Sequence, residues 1–235
     1  MIRLYFHPSP NPMKVLLLLE EAGIPYELVP VDTRKGQQHD ATFRAINPNG
    51  KVPAIVDTEG AGGKEIAVFD SNAILLYLGD KYGKFTGKAS DRGDMLSWLM
   101  FVATGIGPYS GQSVHFQRAA PEQIPYAINR YRREADRHYR VLDDHLKGRE
   151  WIVGNEYGIV DMCGWGWIDR ATFVFHGDAD PLSHYPNVKR WFGAIESRPA
   201  VARVRAAAKT LAFKQEMDEE AKRALFPSNY PLPAA

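Results

Sequence analysis

The sequence predicts an α/β domain followed by an all-helical one, and three observations carry that reading. Strand-like and helix-like segments alternate over residues 1–83, and only helical patterns follow residue 90. A short stretch at 83–91, rich in Gly and Lys and ending in Ser90-Asp91, separates the two parts as a linker closing on a helix cap. Composition shifts at the same place: all five Trp (98, 151, 165, 167 and 191) lie in the second part, while seven Pro lie within the first 60 residues.

Residues 2–6 read as a short, largely buried strand. Residues 14–22 carry Leu and Val with two acids and stop at Gly23, which predicts a helix with a C-terminal glycine and places Pro12 at its first position. Residues 26–31 are strand-like again, so the first unit is β-α-β with a right-handed parallel crossover. A short helix is expected at 41–46. Two strands at 52–56 and 66–69 flank a Gly-rich connection, 58–64, and therefore pair as an antiparallel hairpin. Asp70-Ser71 caps a helix over 73–81. Beyond the linker, a helix at 95–102 is ended or bent by Gly105, Gly107 and Pro108. A long helix runs from near Pro121 to Leu146, and others occupy 159–172, 188–197 and 201–214. Residues 215–235, with Phe226-Pro227 and Pro231-Leu232-Pro233, read as an extended C-terminal tail.

Charge and composition exclude several classes of function. The 235 residues hold 29 Lys plus Arg and 28 Asp plus Glu, a net charge of +1, with 45% hydrophobic and 24% charged residues. Those fractions are globular, and the chain is long enough for a core without staples. Through Lys88 there are 10 basic and 10 acidic residues, then 19 and 18, so neither half offers the basic surface that nucleic acid or an anionic membrane requires. The longest aliphatic run, 15–19, is far short of a membrane span. The opening residues read as a strand and not as a secretion signal, which points to the cytoplasm. Cys163 is the only cysteine, so no disulfide, CxxC pair or thiolate metal cluster is available, and no metal site is expected. It reads as a packed core residue. Any thiol chemistry must therefore use a bound thiol.

Such a thiol needs donors near a helix N-terminus, where the macrodipole also favours a thiolate. Ser9 and Asn11 lie where the first strand hands over to the first helix, and both carry donors. On residues alone, capping of that helix is the better explanation of both. Pro53, at a strand start, reads only as an edge-strand proline. Asp70 and Ser71 form an ordinary cap that is also a ready anion site. Gln38 reads as an exposed loop amide, and the Arg-rich helix 124–146 as a solvated face with ion pairs. Trp165 and Trp167 read as core.

Several motifs together resemble the soluble glutathione transferases. Asn47-Pro48-Asn49-Gly50-Lys51-Val52-Pro53-Ala54-Ile55 is similar to that superfamily's turn and strand with a cis proline. Phe69-Asp70-Ser71-Asn72-Ala73-Ile74 resembles its acid-serine helix start. Tyr5-Phe6-His7-Pro8-Ser9-Pro10-Asn11, with Ile124-Pro125-Tyr126-Ala127-Ile128, resembles the bacterial Nu class, related to the yeast prion-type homologues. One departure is Gly158, which stands where relatives start the core helix with Ser or Thr.

The resemblance implies a thioredoxin-like domain at 1–83, a helical domain at 90–214 on the second-substrate side, and a homodimer using glutathione as co-substrate. It implies that Ser9 and Asn11 contact the glutathione sulfur, with Tyr5 as a rival activator. It implies that Val52, next to a cis Pro53, offers its backbone to the cysteinyl part, with Lys51 in the same binding turn. Asp70 and Ser71 would hold the γ-glutamyl zwitterion and Gln38 the glycyl end. Arg130, reaching the other subunit's glutathione, and Gln112 are further candidates. The electrophile or disulfide would lie against 108–116 and the Trp165–Trp167 region. The expected activity is thiol-disulfide exchange or transfer. The alternatives are a non-catalytic glutathione-binding or regulatory protein and glutathione-dependent ether or dehalogenation chemistry.

Overall fold

The computed structural model describes residues 1–231. Four strands, β1 (Ile2–Phe6), β2 (Tyr26–Pro30), β3 (Ala54–Asp57) and β4 (Ile66–Phe69), form one sheet in the order β2-β1-β3-β4. β1 and β2 run parallel, while β1–β3 and β3–β4 are antiparallel, as the β-α-β unit and the Gly-rich hairpin predict. Alternation along β1 sends Ile2, Leu4 and Phe6 into the core and turns Arg3 and Tyr5 to the other face.

Helix α1 (Pro10–Ala22) joins the two halves of the molecule. It packs on α3 (Ser71–Tyr82) from its own domain and on α7 (Ile159–Ile168) and α10 (Pro199–Lys209) from the helical part. Helices surround it on several sides, so every residue from Pro12 to Leu19 is buried, which explains a sequence apolar all round. The helix starts at Pro10, two residues before the expected first position at Pro12, because both prolines suit its first turn. It ends at Gly23 in the left-handed conformation, as predicted. A short helix α2 (Ala41–Ile46) covers the other face of the sheet around Phe43.

The second part holds α4 (Arg92–Phe101), α5 (Gly107–Arg118), α6 (Pro125–His145), α7, a single turn α8 (Ala171–Val174), α9 (Pro186–Glu196) and α10. Gly105, Gly107 and Pro108 bend α4 into α5 through one π-turn, Val102–Ile106, and do not end it. The long helix α6 begins at Pro125, because Pro121 lies in a turn before it. At the start of α7 buried Asp161 accepts the N–H groups of Gly158 and Ile152, both at 2.9 Å, and the Trp191 indole at 2.8 Å. Burial still pushes its carboxyl up to about 6. A Cβ on Gly158 would lie 3.0 Å from the Phe85 carbonyl oxygen, so a side chain there would press on the backbone of Phe85.

The tail departs from expectation. Residues 219–225 form a helix, α11 (Glu219–Leu225), capped by Asp218, whose carboxylate accepts the Ala221 N–H at 2.9 Å. This segment folds back onto the turn Thr33–Lys35 of the first domain. Acidic residues open α11 and Lys222 and Arg223 close it, a charge order that favours helix over extended chain. Leu232 and Pro233, read as extended, lie outside the described residues. Among the described residues no helix is long and apolar enough to cross a membrane.

Candidate active site

Ser9 takes the N-cap position of α1 with extended backbone, and its carbonyl accepts the Met13 N–H at 3.2 Å. Its hydroxyl makes no capping bond. Of the second and third helical N–H groups that an N-cap side chain can serve, the third is lost at Pro12, so only Asn11 N–H is left as a target. Ser9 instead lines a cleft of about 260 Å³, with His7, Thr33, Arg34, Gln38 and Val52 among its walls. Asn11, one residue into the helix, is held from the other domain. The indole Nε1–H of Trp167 donates to Asn11 Oδ1 at 3.1 Å.

The Val52–Pro53 bond is cis, as the motif implies, and Val52 and Lys51 both line the cleft. Pairing of Ala54 with Phe69 brings Pro53 and Asp70 to the same end of the β3–β4 pair. Asp70 has φ 68°, a left-handed conformation that non-glycine residues adopt rarely and often at functional sites. Its Oδ1 accepts from Asn72 N at 2.8 Å, Ala73 N at 3.2 Å and Asn72 Nδ2 at 3.1 Å, which leaves Oδ2 for another donor. Ser71, buried, is the first residue of α3, so its backbone N–H belongs to the helix's positive end. Below it, the buried Lys14 ammonium donates to Asn72 Oδ1 at 3.0 Å, and the Cys163 thiol donates to the same oxygen at 2.8 Å. This bridge fixes the Asn72 amide and, through it, the Asp70 carboxylate. Cys163 is fully buried and burial pushes its thiol pKa up, so it is an unreactive core thiol as expected.

The tail supplies the remaining wall. Met217 and Leu225 line the same cleft as Ser9. Gln38 is buried and not the exposed amide expected: its Nε2 donates to the Ala224 carbonyl at 2.8 Å, while its Oε1 is buried without a partner. Arg34 donates to the Lys214 and Gln215 carbonyls at 2.9 and 2.6 Å, and Asp32 accepts the Lys214 N–H at 2.7 Å. His7 packs on Phe213, with ring centres 4.8 Å apart, and its Nε2 has no partner. Burial drives the imidazole pKa down to about 4, against an opposing pull from Asp32, so the ring is neutral at physiological pH.

Three candidates fall elsewhere. Tyr5 points to the opposite face of the sheet, 5.7 Å from the Phe43 ring. Gln112 borders a separate cleft with His115, Phe116 and Asn229. Arg130 is exposed on α6, among ion pairs such as Arg137–Glu134 at 3.1 Å and Arg140–Asp136 at 3.0 Å. Trp165 is core, as expected, but Trp167 is only half-buried and binds Asn11, which corrects its reading as a core residue.

Known proteins share this arrangement. Residues 8–81 match the family model of the glutathione S-transferase N-terminal domain, and residues 125–194 that of the glutathione S-transferase C-terminal domain. The chain belongs to the glutathione S-transferase family. The disulfide-bond oxidoreductase YfcG of Escherichia coli (strain K12) is 45% identical to it over 202 residues, covering 85% of this chain and 92% of that protein. A glutathione transferase family member from Pseudomonas fluorescens pf-5, crystallised with two glutathione bound, superposes with a TM-score of 0.83 at 40% identity, covering 86% of this chain and 91% of that one. A glutathione transferase from Pseudomonas putida, with one glutathione disulfide per subunit, gives 0.81 at 36% identity, covering 86% and 90%.

Within this transferase frame the sequence reading missed Lys14, Arg34, the bond of Trp167 to Asn11, and the tail. A lysine inside the apolar run 13–19 was a visible signal for a buried polar bridge, since charged residues are rarely buried without partners. Trp167 carried no such signal, because only the docking of α7 on α1 brings its indole to Asn11.

Proposed function

We propose that this glutathione S-transferase acts on disulfides through the thiolate of bound glutathione, in a cytoplasmic homodimer. The observation that carries the proposal is Ser9, a cleft-lining residue at the N-terminus of α1 whose hydroxyl makes no capping bond. Two relatives named disulfide-bond oxidoreductases and a neighbour holding glutathione disulfide support the substrate class.

Glutathione lies with its γ-glutamyl end at α3, where Asp70 Oδ2 takes the ammonium and Ser71 with its backbone N–H takes the carboxylate. The Val52 backbone pairs with the cysteinyl residue in the manner of an added strand. Lys51 and Gln38 receive the glycyl end. Ser9 O–H and Asn11 Nδ2–H then donate to the sulfur, and the positive end of α1 adds to them, so the thiol loses its proton more readily. The thiolate attacks one sulfur of a substrate disulfide; a new S–S bond forms, the old one breaks, and the departing thiolate takes a proton. A second glutathione thiolate resolves the mixed disulfide, giving glutathione disulfide and the second substrate thiol. No thiol of the protein enters this cycle, since the only cysteine is buried. Arg130, in this reading, reaches the glutathione of the other subunit, and Gln112 is a further candidate contact.

Reduction of 2-hydroxyethyl disulfide by glutathione, run on the wild type beside Ser9→Ala, tests this. The expected result is turnover in the wild type reduced by about tenfold or more in the variant, the scale of one lost charge-assisted hydrogen bond, with calorimetric glutathione binding retained. Binding without turnover in the wild type would instead identify a glutathione-binding protein or an enzyme for another electrophile, conjugation and ether or halide cleavage being the next substrates to try.

A further inference from the structure

We infer that Trp167 is a positioning residue for the thiol end of the cleft: from the helical domain it fixes which way the Asn11 amide faces. The inference rests on the assignment of Asn11 as a sulfur donor made above. An indole N–H can only donate. Its partner on Asn11 at 3.1 Å is therefore the amide oxygen, and the amide NH₂ group is directed away from the indole. Rotating that amide by half a turn would set two donors against each other and lose the bond, so the donor orientation needed by a thiolate is selected before any ligand arrives.

The surrounding backbone is shaped for this indole. A Cβ on Gly107 would stand 3.0 Å from Trp167 Nε1, and one on Gly111, a turn later on α5, would stand 3.3 Å from Cη2. The two glycines form the floor on which the ring lies. Next to the tryptophan, a Cβ on Gly166 would come within 2.6 Å of the Pro10 carbonyl oxygen, a backbone atom that cannot yield. That closeness lets α7 meet the first turn of α1, which carries Asn11. The π-turn at Val102–Ile106 immediately precedes Gly107 and sets the phase of α5 toward the ring. Three glycines on two helices thus serve one hydrogen bond that crosses between the domains.

The test uses Trp167→Phe, which keeps an aromatic ring and removes the N–H. The readout is the pKa of bound glutathione, followed as thiolate absorbance against pH, together with turnover and glutathione affinity, in both wild-type and Asn11→Ala backgrounds. In the wild-type background we expect a higher thiol pKa and turnover lower by about three- to tenfold, the scale of one hydrogen bond, with glutathione affinity within about twofold. In the Asn11→Ala background the same substitution should change neither quantity. Gly111→Ala, which improves helix propensity yet crowds the ring, should shift the thiol pKa in the same direction by less. An equal cost with and without Asn11, or weakened affinity with an unmoved thiol pKa, would overturn the inference. If Asn11→Ala changes the thiol pKa but Trp167→Phe does not, this inference alone fails; if Asn11→Ala has no effect, the assignment beneath it fails as well.

Discussion

The two ends of the cleft are built in opposite ways. At the thiol end, Asn11 is bonded to the helical domain and the Ser9 hydroxyl has no structural duty, so the groups that would meet a sulfur are set by folding itself. At the other end Gln38 and Arg34 are engaged by the protein's own tail, whose Ala224, Lys214 and Gln215 carbonyls take their donors. That arrangement leaves Gln38 Oε1 and His7 Nε2 buried without partners, a condition native proteins avoid because each such group loses its water at a cost of about 1–3 kcal/mol. A fixed reactive end and a segment-covered end make different demands. Under the proposed function, the first would govern chemistry once a ligand is bound, and the second how the ligand enters and leaves.

The largest effect that would break this contrast is expected at Asp70. Asp70→Gly keeps the left-handed backbone while removing the carboxylate. Glutathione affinity measured calorimetrically should fall by about tenfold to a hundredfold, the scale of a lost charged partner, while the thiol pKa of whatever binds stays put. A lost affinity accompanied by a raised thiol pKa would mean that the ends are not separable.

Next comes the tail. Asp218→Ala removes the cap of α11. Stopped-flow binding should show glutathione entering and leaving faster, by about threefold, as a weakened cap loosens the helix. Unchanged rates would remove the tail from the account of access.

A smaller, pH-dependent effect follows from His7. In the folded protein the ring refuses a proton until about pH 4, whereas in the unfolded chain it accepts one near 6.5. Between those values the unfolded state holds more protons, so stability falls as pH drops from 6.5 toward 4. Urea titrations at neutral and mildly acidic pH should show His7→Leu losing less stability on acidification than the wild type. Equal losses would show that His7 is not buried as described.

The smallest effect is expected at Tyr5. Tyr5→Phe should leave turnover within about twofold, the ordinary range for a change away from the reacting groups, because its ring packs on Phe43 and does not line the cleft. Ser9→Ala should likewise leave the melting temperature nearly unchanged. A serine that truly capped α1 would cost about 1 kcal/mol when removed.

The architecture was legible because its signals are local. Alternation along residues 2–6, Gly23 after the first helix and the Gly-rich hairpin each dictate their own element, and the observed sheet follows from them. Ser9, Val52 and Gln38 were grouped only by the family resemblance, since on residues alone they read as a cap, a strand residue and an exposed amide, and the structure brings them to one cleft. What was not legible depends on contacts distant in sequence. The Trp167–Asn11 bond spans 156 positions and the Gln38–Ala224 bond 186, and no periodicity encodes either. The tail was readable in part: Asp218 before two Glu, then Lys222 and Arg223, is a helix signal that two nearby prolines obscured.

The most direct test of the account is the pKa of glutathione bound to the wild type and to Ser9→Ala, read from thiolate absorbance. A free cysteine thiol titrates near 8.5, and the account predicts a bound value about one to two units lower in the wild type, returning toward the free value in Ser9→Ala. A bound thiol that titrates as it does in water, or one whose lowered pKa survives Ser9→Ala and is lost in Tyr5→Phe, would contradict it.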